Sequence, residues 1–172
     1  FPVAAGTIAF WTRTPKSSNL TEQGNTTWIS FGTGWNPGFT ISAYRCSAGG
    51  DGFLYFTQNR VQDGAWHHVA MAWDAEKAFV YSDGALFGSF DRKPKDISAY
   101  LETCRLVIGG SYSDGQAANA IMDDVTLFSR RLTEEEIRQI ASSDSPLRAT
   151  ASTVSFARTG RSVFFRDEQE AV

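Results

Sequence analysis

The run Gly64-Ala-Trp-His-His-Val-Ala70, continued by Met71-Ala-Trp73 and then by Phe79-Val-Tyr-Ser-Asp-Gly84-Ala-Leu-Phe87, decides the fold class. Its residues alternate. His67, Val69, Met71 and Trp73 fall on one face, and His68, Ala70 and Ala72 on the other. A period of two is the mark of a strand, whose successive side chains leave opposite faces. Asp83-Gly84 then separates two more strand-like runs, at 78–82 and 85–90. Both central residues of such a hairpin turn need positive φ, which Asp-Gly accepts at little cost.

The same period extends in both directions. Residues 7–13 set Ile8 and Phe10 against Thr7, Ala9 and Trp11. Short runs follow at 27–31, 38–45, 53–58, 104–109 and 120–128, with Gly, Asp, Asn or Pro in most of the gaps. Many short strands separated by turn residues predict an all-β sandwich or barrel. One short surface helix is expected near 133–142. Thr133 is its N-cap, Glu136 completes a capping box, Leu132 staples onto Ile137, and Glu134 and Glu135 suit the positive end of the dipole. After Ser145-Pro146, runs at 152–157 and 162–166 flank a turn at Thr159-Gly160. Residues 1–172 read as one domain, with 145–172 as a C-terminal strand extension.

Composition narrows the function. The chain has 172 residues, 42% hydrophobic and 20% charged, which suits a globular domain with its own core. A net charge of −3 gives no basic footprint for nucleic acid. No apolar run is long enough for a membrane span. Phe1-Pro2-Val3 runs directly into the first strand, so a mature fragment of a larger protein is expected. Aromatics are plentiful at 13%, and such rings fill sheet interfaces or line sugar sites. Cys46 and Cys104 lack the close spacing of a zinc site. They are either a disulfide, which needs an oxidising compartment, or two separate thiols. Asn19-Leu-Thr21 and Asn25-Thr-Thr27 are glycosylation sequons, meaningful only in a eukaryotic secretory context.

Four segments in order resemble the landmarks of the concanavalin A-like, laminin-G-like lectin and glucanase superfamily. Gly6-Thr-Ile-Ala-Phe-Trp11 resembles its opening strand, and Gly64 to Asp74 its Trp-His-His-Val-Ala strand. Phe79 to Gly84 resembles its Asp-Gly hairpin. Leu106 to Gly110, Ile121 to Phe128 and Leu132 to Ile137 resemble its closing strands and helix. The resemblance covers roughly residues 6–142 and implies a two-sheet antiparallel jelly-roll sandwich. The family's usual earlier strand is missing, and the runs at 152–157 and 162–166 are candidates to take its place, since a long open sheet edge invites aggregation.

The resemblance also marks residues. Asp123 matches a position that binds structural Ca²⁺ in many relatives. Alternation puts it on the face of Ile121, Val125 and Leu127, where a carboxylate needs a partner or a metal. A rim carboxylate paired with Arg or loop amides is the plainer reading. His67 and His68 recur in non-enzymatic relatives and read as structural. Trp11, Trp66 and Trp73 read as core or wall. The acidic strand motif of the family's glucanases, two carboxylates on one surface, is absent.

Ligand contacts are expected on loops. Trp35 lies in Gly32-Thr-Gly-Trp-Asn-Pro-Gly38, Tyr112 and Asp114 in Gly110-Ser-Tyr-Ser-Asp-Gly115, and Tyr44 and Arg45 end a strand before Gly49-Gly-Asp-Gly52. Rings and planar polar groups of this kind recognise sugars. The function expected is glycan binding by an accessory or adhesion module of an extracellular, cell-surface or periplasmic protein. A laminin-G-like protein-interaction module is the alternative, and a glycoside hydrolase or polysaccharide lyase the third.

Overall fold

A computed structural model describes residues 2, 4–16, 26–33, 36–43, 45–48, 53–55, 61–92, 103–111, 117–143, 158–159 and 162–163. The main strands are β1 (Gly6–Arg13), β2 (Thr27–Thr33), β3 (Asn36–Ser42), β4 (Arg45–Ala48), β5 (Phe53–Tyr55), β6 (Trp66–Trp73), β7 (Lys77–Ser82), β8 (Ala85–Asp91), β9 (Arg105–Ile108) and β10 (Ile121–Phe128). They form two five-stranded sheets, ordered β10-β1-β6-β7-β8 and β5-β4-β3-β2-β9. All of their pairings are antiparallel.

The core lies between the sheets. β1 contributes Ile8 and Phe10, and β6 contributes Val69, Met71 and Trp73. They meet Trp28, Ile29, Phe31, Phe39 and Ile41 from the other sheet. Phe39 and Trp73 pack with rings tilted by 45° and centroids 4.7 Å apart, and Phe10 meets Trp28 edge-on at 5.7 Å. Leu54 of β5 lies against Gly88 of β8, closing one side of the sandwich. β9 and β10 are the outer strands on the other side. There Leu106, Ile121 and Leu127 are exposed.

The opposite face of the first sheet carries the helix. α1 (Glu134–Ser142) has the capping box at Thr133 and Glu136 that its sequence predicts. Leu132 and Ile137 are buried together against Ala9, Ala70, Ala72 and Tyr81. Three alanines on β1 and β6 let the helix approach the sheet closely. Thr7 anchors its lead-in: its hydroxyl donates to the Arg130 carbonyl at 3.0 Å and accepts from the Leu132 amide at 2.8 Å. At the helix's other end, Arg138 and Ala141 pack on Gly84 of the β7–β8 hairpin. Asp83 and Gly84 have φ of 52° and 78°, as that turn requires.

Three expectations need correction. The run 38–45 is not one strand: it breaks after Ser42, and Arg45 starts β4 instead of ending β3. Ser42 causes the break, because its hydroxyl accepts from the Arg45 amide and donates to the Arg45 carbonyl, both at 2.8 Å. The disulfide is not formed, and both Cys46 and Cys104 are free. Cys46 lies in β4, and Cys104 directly precedes β9, three strands away in the same sheet. That separation is ~14 Å from strand spacing alone, beyond the roughly 4.4–6.8 Å between Cα atoms that a disulfide spans. At the C-terminus, β11 (Arg158–Thr159) and β12 (Ser162–Val163) pair with each other as a separate two-stranded sheet. Among the described residues they add no strand to either main sheet. The rest of the runs 152–157 and 162–166, and Asn19 and Asn25 of the sequons, lie outside the described residues.

Candidate functional site

Strand directions sort the predicted ligand residues. Thr33 pairs with Asn36 at one end of β3, and Thr27 pairs with Ser42 at the other. The two turns that follow these ends are therefore ~20 Å apart along the strand. β9 runs antiparallel to β2 and exits at the Ser42 end. There the Gly109 amide donates to the Trp28 carbonyl at 2.6 Å, and the Ser30 hydroxyl to the Gly110 carbonyl at 3.1 Å. So the β3–β4 turn, which leads into Arg45, shares an end with the exit of β9, and the β2–β3 turn lies at the other. Trp35, Tyr44, Tyr112 and Asp114 themselves lie outside the described residues. Arg45 is exposed, on a backbone held by Ser42.

The same end of the first sheet is tied on by Trp28, whose indole donates to the Thr14 hydroxyl at 3.1 Å. A histidine clamp stands there. His67 lies between two carboxylates, with Nδ1 2.9 Å from Asp83 and Nε2 3.0 Å from Asp63. The Asp83 carboxylate also accepts from the His68 amide at 2.9 Å, and Asp63 from the Ala65 amide at 2.7 Å. The bond to Asp83 is the main cause that raises the His67 pKa to about 9, so the protonated ring donates to both acids. The clamp ties the loop before β6 to the β7–β8 hairpin. Sequence reading gave His67 a structural role but did not find its partners, which are 4 and 16 residues away.

His68 is the opposite case. It is 1% exposed, and burial depresses its pKa to about 4. Among the described residues neither ring nitrogen has a hydrogen-bond partner. Its ring meets Trp11 edge-on, centroids 5.4 Å apart.

The two histidines bend stability in opposite directions. Below pH ~6.5, the unfolded chain takes a proton that folded His68 refuses, so stability falls as pH drops toward about 4. Above ~6.5, folded His67 keeps a proton that the unfolded chain releases, so its contribution is lost as pH rises through about 9. The His68 limb is worth about 3 kcal/mol. The His67 limb is worth about 1–2 kcal/mol, because solvent screens its half-exposed carboxylates. Denaturant unfolding from pH 4 to 9 should show both limbs. His68→Leu should flatten only the acid one and His67→Gln only the alkaline one. A wild-type profile flat across that range would refute both assignments.

Asp123 needs a correction. Met122 and Val125 both pack on the main core although three residues apart, which strict alternation forbids. A bulge explains it. The pairing of β10 with β1 slips between Ala9 and Trp11, and Asp124 absorbs the extra residue at φ 51°. Ile121 and Asp123 are thereby turned away from the core, and Ile121 is 55% exposed. The apolar-face argument for a metal at Asp123 fails, since single-sequence alternation has no signal for a bulge.

The bulge also assembles a patch. Asp123, Trp11 and His68 are direct cross-strand partners on β10, β1 and β6, and Ile121, Arg13 and Trp66 form the next row on the same face. The face is that of Ala9 and Ala70, on which the helix packs. The helix crosses it diagonally from Thr7 to Gly84 on the β7–β8 side, whereas this corner lies on the β10–β1–β6 side of the Arg13 end. Trp11 and Trp66 are half-buried and Arg13 is exposed, its Nε donating to the Gly64 carbonyl at 2.8 Å. Trp73, by contrast, is a full core residue, and its indole donates to the Pro2 carbonyl at 2.9 Å.

A family model described as the Concanavalin A-like lectin/glucanases superfamily matches residues 1–138. No curated protein matches the chain. Among solved structures, the receptor binding domain of botulinum neurotoxin type G matches at 20% identity with a TM-score of 0.52, covering 80% of this chain and 37% of that one. The receptor binding domain of the botulinum neurotoxin C/D mosaic serotype matches at 15% identity and TM-score 0.55, covering 81% and 36%. A Trypanosoma rangeli sialidase matches at 18% identity and TM-score 0.54, covering 80% and 22%. This chain therefore spans well under half of each. At these identities the likeness is one of fold.

Proposed function

Because the chain belongs to the concanavalin A-like lectin/glucanases superfamily, we propose that it is a glycan-binding accessory or adhesion module of a larger extracellular, cell-surface or periplasmic protein. The observation that carries this reading is the gathering of half-buried indoles, Trp11 and Trp66, at the end of the sandwich where the exposed Arg45 turn also lies. Indole faces and planar polar groups are what sugar recognition uses. The neurotoxin domains among the similar structures are named for receptor binding, and the sialidase for a bound sugar acid analogue. These names fit the reading. Tyr44, Tyr112 and Asp114 stay in it as loop contacts, and Trp35, in the turn at the opposite end of β3, as a separate contact. No helix among the described residues is long and apolar enough to cross a membrane.

The second reading, a protein-interaction module, is favoured by exposed Leu106, Ile121 and Leu127 on the β9–β10 side. For hydrolysis, Asp63 and Asp83 are both engaged by His67, which leaves neither as a free acid–base partner.

A structural Ca²⁺ at Asp123 belongs to the same proposal. Hard oxygen ligands suit it. Among the described residues no group of three His, Cys, Asp or Glu side chains could hold a metal ion, so backbone carbonyls would supply most of the shell. A glycan array with and without Ca²⁺, run beside elemental analysis, tests both. Binding to at least one glycan class is expected, with stoichiometric calcium that Asp123→Asn removes. An array with no binding in either condition ends the glycan reading. Calcium-free protein whose melting temperature ignores chelator ends the metal.

A further inference from the structure

We propose that the helix-bearing face of the first sheet holds a saccharide subsite at its Arg13 corner, built from Trp11, Trp66, Arg13, Asp123 and Ile121. The proposal rests on the glycan-binding reading and moves the contact from the loops to a sheet face.

The patch follows from strand register. Two rows of three residues, on three adjacent strands, lie on one face. Neighbouring strands are about 4.8 Å apart, and rows two residues apart are ~7 Å apart. The area is that of a single sugar ring. Within it, rings and charges alternate. Trp11 sits beside Asp123 in one row and Trp66 beside Arg13 in the next, so the indoles occupy one diagonal and the charged groups a parallel one. A pyranose has the matching character, with an apolar C–H face for an indole and equatorial hydroxyls for a guanidinium and a carboxylate. The opposite charges of Arg13 and Asp123 favour a neutral sugar over an acidic one. Arg13 is already positioned by Gly64.

A second, independent observation points to a ligand. His68 lies in the first row, 1% exposed and against the Trp11 ring, and both its nitrogens lack a partner among the described residues. A buried polar group without a partner is unfavourable. A neutral imidazole offers one donor and one acceptor on divergent sides of the ring, and a water held between His68 and a bound sugar would complete one of them.

The experiment uses an array of neutral oligosaccharides, namely β-glucan, xylan, mannan and galactan fragments, followed by calorimetry with the best binder. Trp66→Ala and Arg13→Gln should each weaken binding at least tenfold, while Lys77→Ala, an exposed side chain at the Trp73 end of the same sheet, changes it less than twofold. Trp66→Phe keeps a ring and guards against misfolding of the alanine variant; it should retain most of the affinity. Wild-type affinity in both Arg13→Gln and the Trp66 variants, with loss in Arg45→Ala, would overturn this site while the glycan function stands. A wild-type chain that binds none of these sugars but binds another glycan also overturns the site. No binding to any glycan overturns both.

Discussion

Gly38→Ala is expected to cost the domain about 4 kcal/mol or more, among the largest effects a single methyl can have. Gly38 lies in β3 where its pairing with β2 is irregular, between Phe31 and Thr33. A Cβ at this position would fall inside the contact radius of the Phe31 carbonyl oxygen and press on the Phe31 carbon and Gly32 Cα. All three are backbone atoms, so no rotamer change relieves the clash. β3 is the middle strand of its sheet, and Phe39 and Ile41 beside the clash are core residues. The strain must separate β2 from β3 or shift both. Thermal unfolding should show a fall of roughly 10 °C, given about 2–4 °C per kcal/mol for a chain of this size. A melting temperature within two or three degrees of wild type would show that the bulge yields and that Gly38 is replaceable.

Arg92→Ala is expected to cost about 3–4 kcal/mol. Arg92 directly follows β8 and is only 5% exposed. Its guanidinium donates to three carbonyls: Ala48 at 3.2 Å, Ala4 at 3.3 Å, and Asp74. It also stacks over the Phe39 ring at 5.2 Å. One side chain thus joins β4, the segment before β1 and the β6–β7 turn at the end away from the candidate site. Removing it leaves these carbonyls short of a donor and uncovers part of Phe39, and each orphaned buried group costs about 1–3 kcal/mol. Arg92→Lys should recover only part of the loss, because one ammonium cannot reproduce the planar fork. Denaturant unfolding checks both variants. Stability of Arg92→Ala within about 1 kcal/mol of wild type would show that water replaces the guanidinium without loss.

Local patterns were legible because their physics is local. The capping box at Thr133 and Glu136 and the Asp83-Gly84 turn depend on residues a few positions apart, and both form as read. The alternation of β6 separates Val69, Met71 and Trp73 from Ala70 and Ala72 as read, and the structure puts the first set in the core and the second under the helix. Where a strand carries an irregularity, the same reasoning failed. Asp124 inserts one residue into β10, and that insertion turns Asp123 and Ile121 off the expected face. Ser42 closes on Arg45 and cuts one expected strand into two.

By itself, the sequence determined the antiparallel β class, most strand positions, the helix with its cap, and the ordered motifs of the superfamily, because a side-chain period and a turn chemistry are written within short windows. Tertiary structure alone decided which distant residues meet. Strand order puts three spacings between Cys46 and the strand that follows Cys104, which precludes the bridge. Strand direction sends the Trp35 turn and the Arg45 turn to opposite ends of β3. Register across β6, β1 and β10 sets Trp66, Arg13, Trp11 and Asp123 on one corner, four residues from three strands that span more than a hundred positions of chain. The physical reason is that register and order are chosen by the burial of the whole core, a sum over both sheets, and no short window of sequence contains that sum.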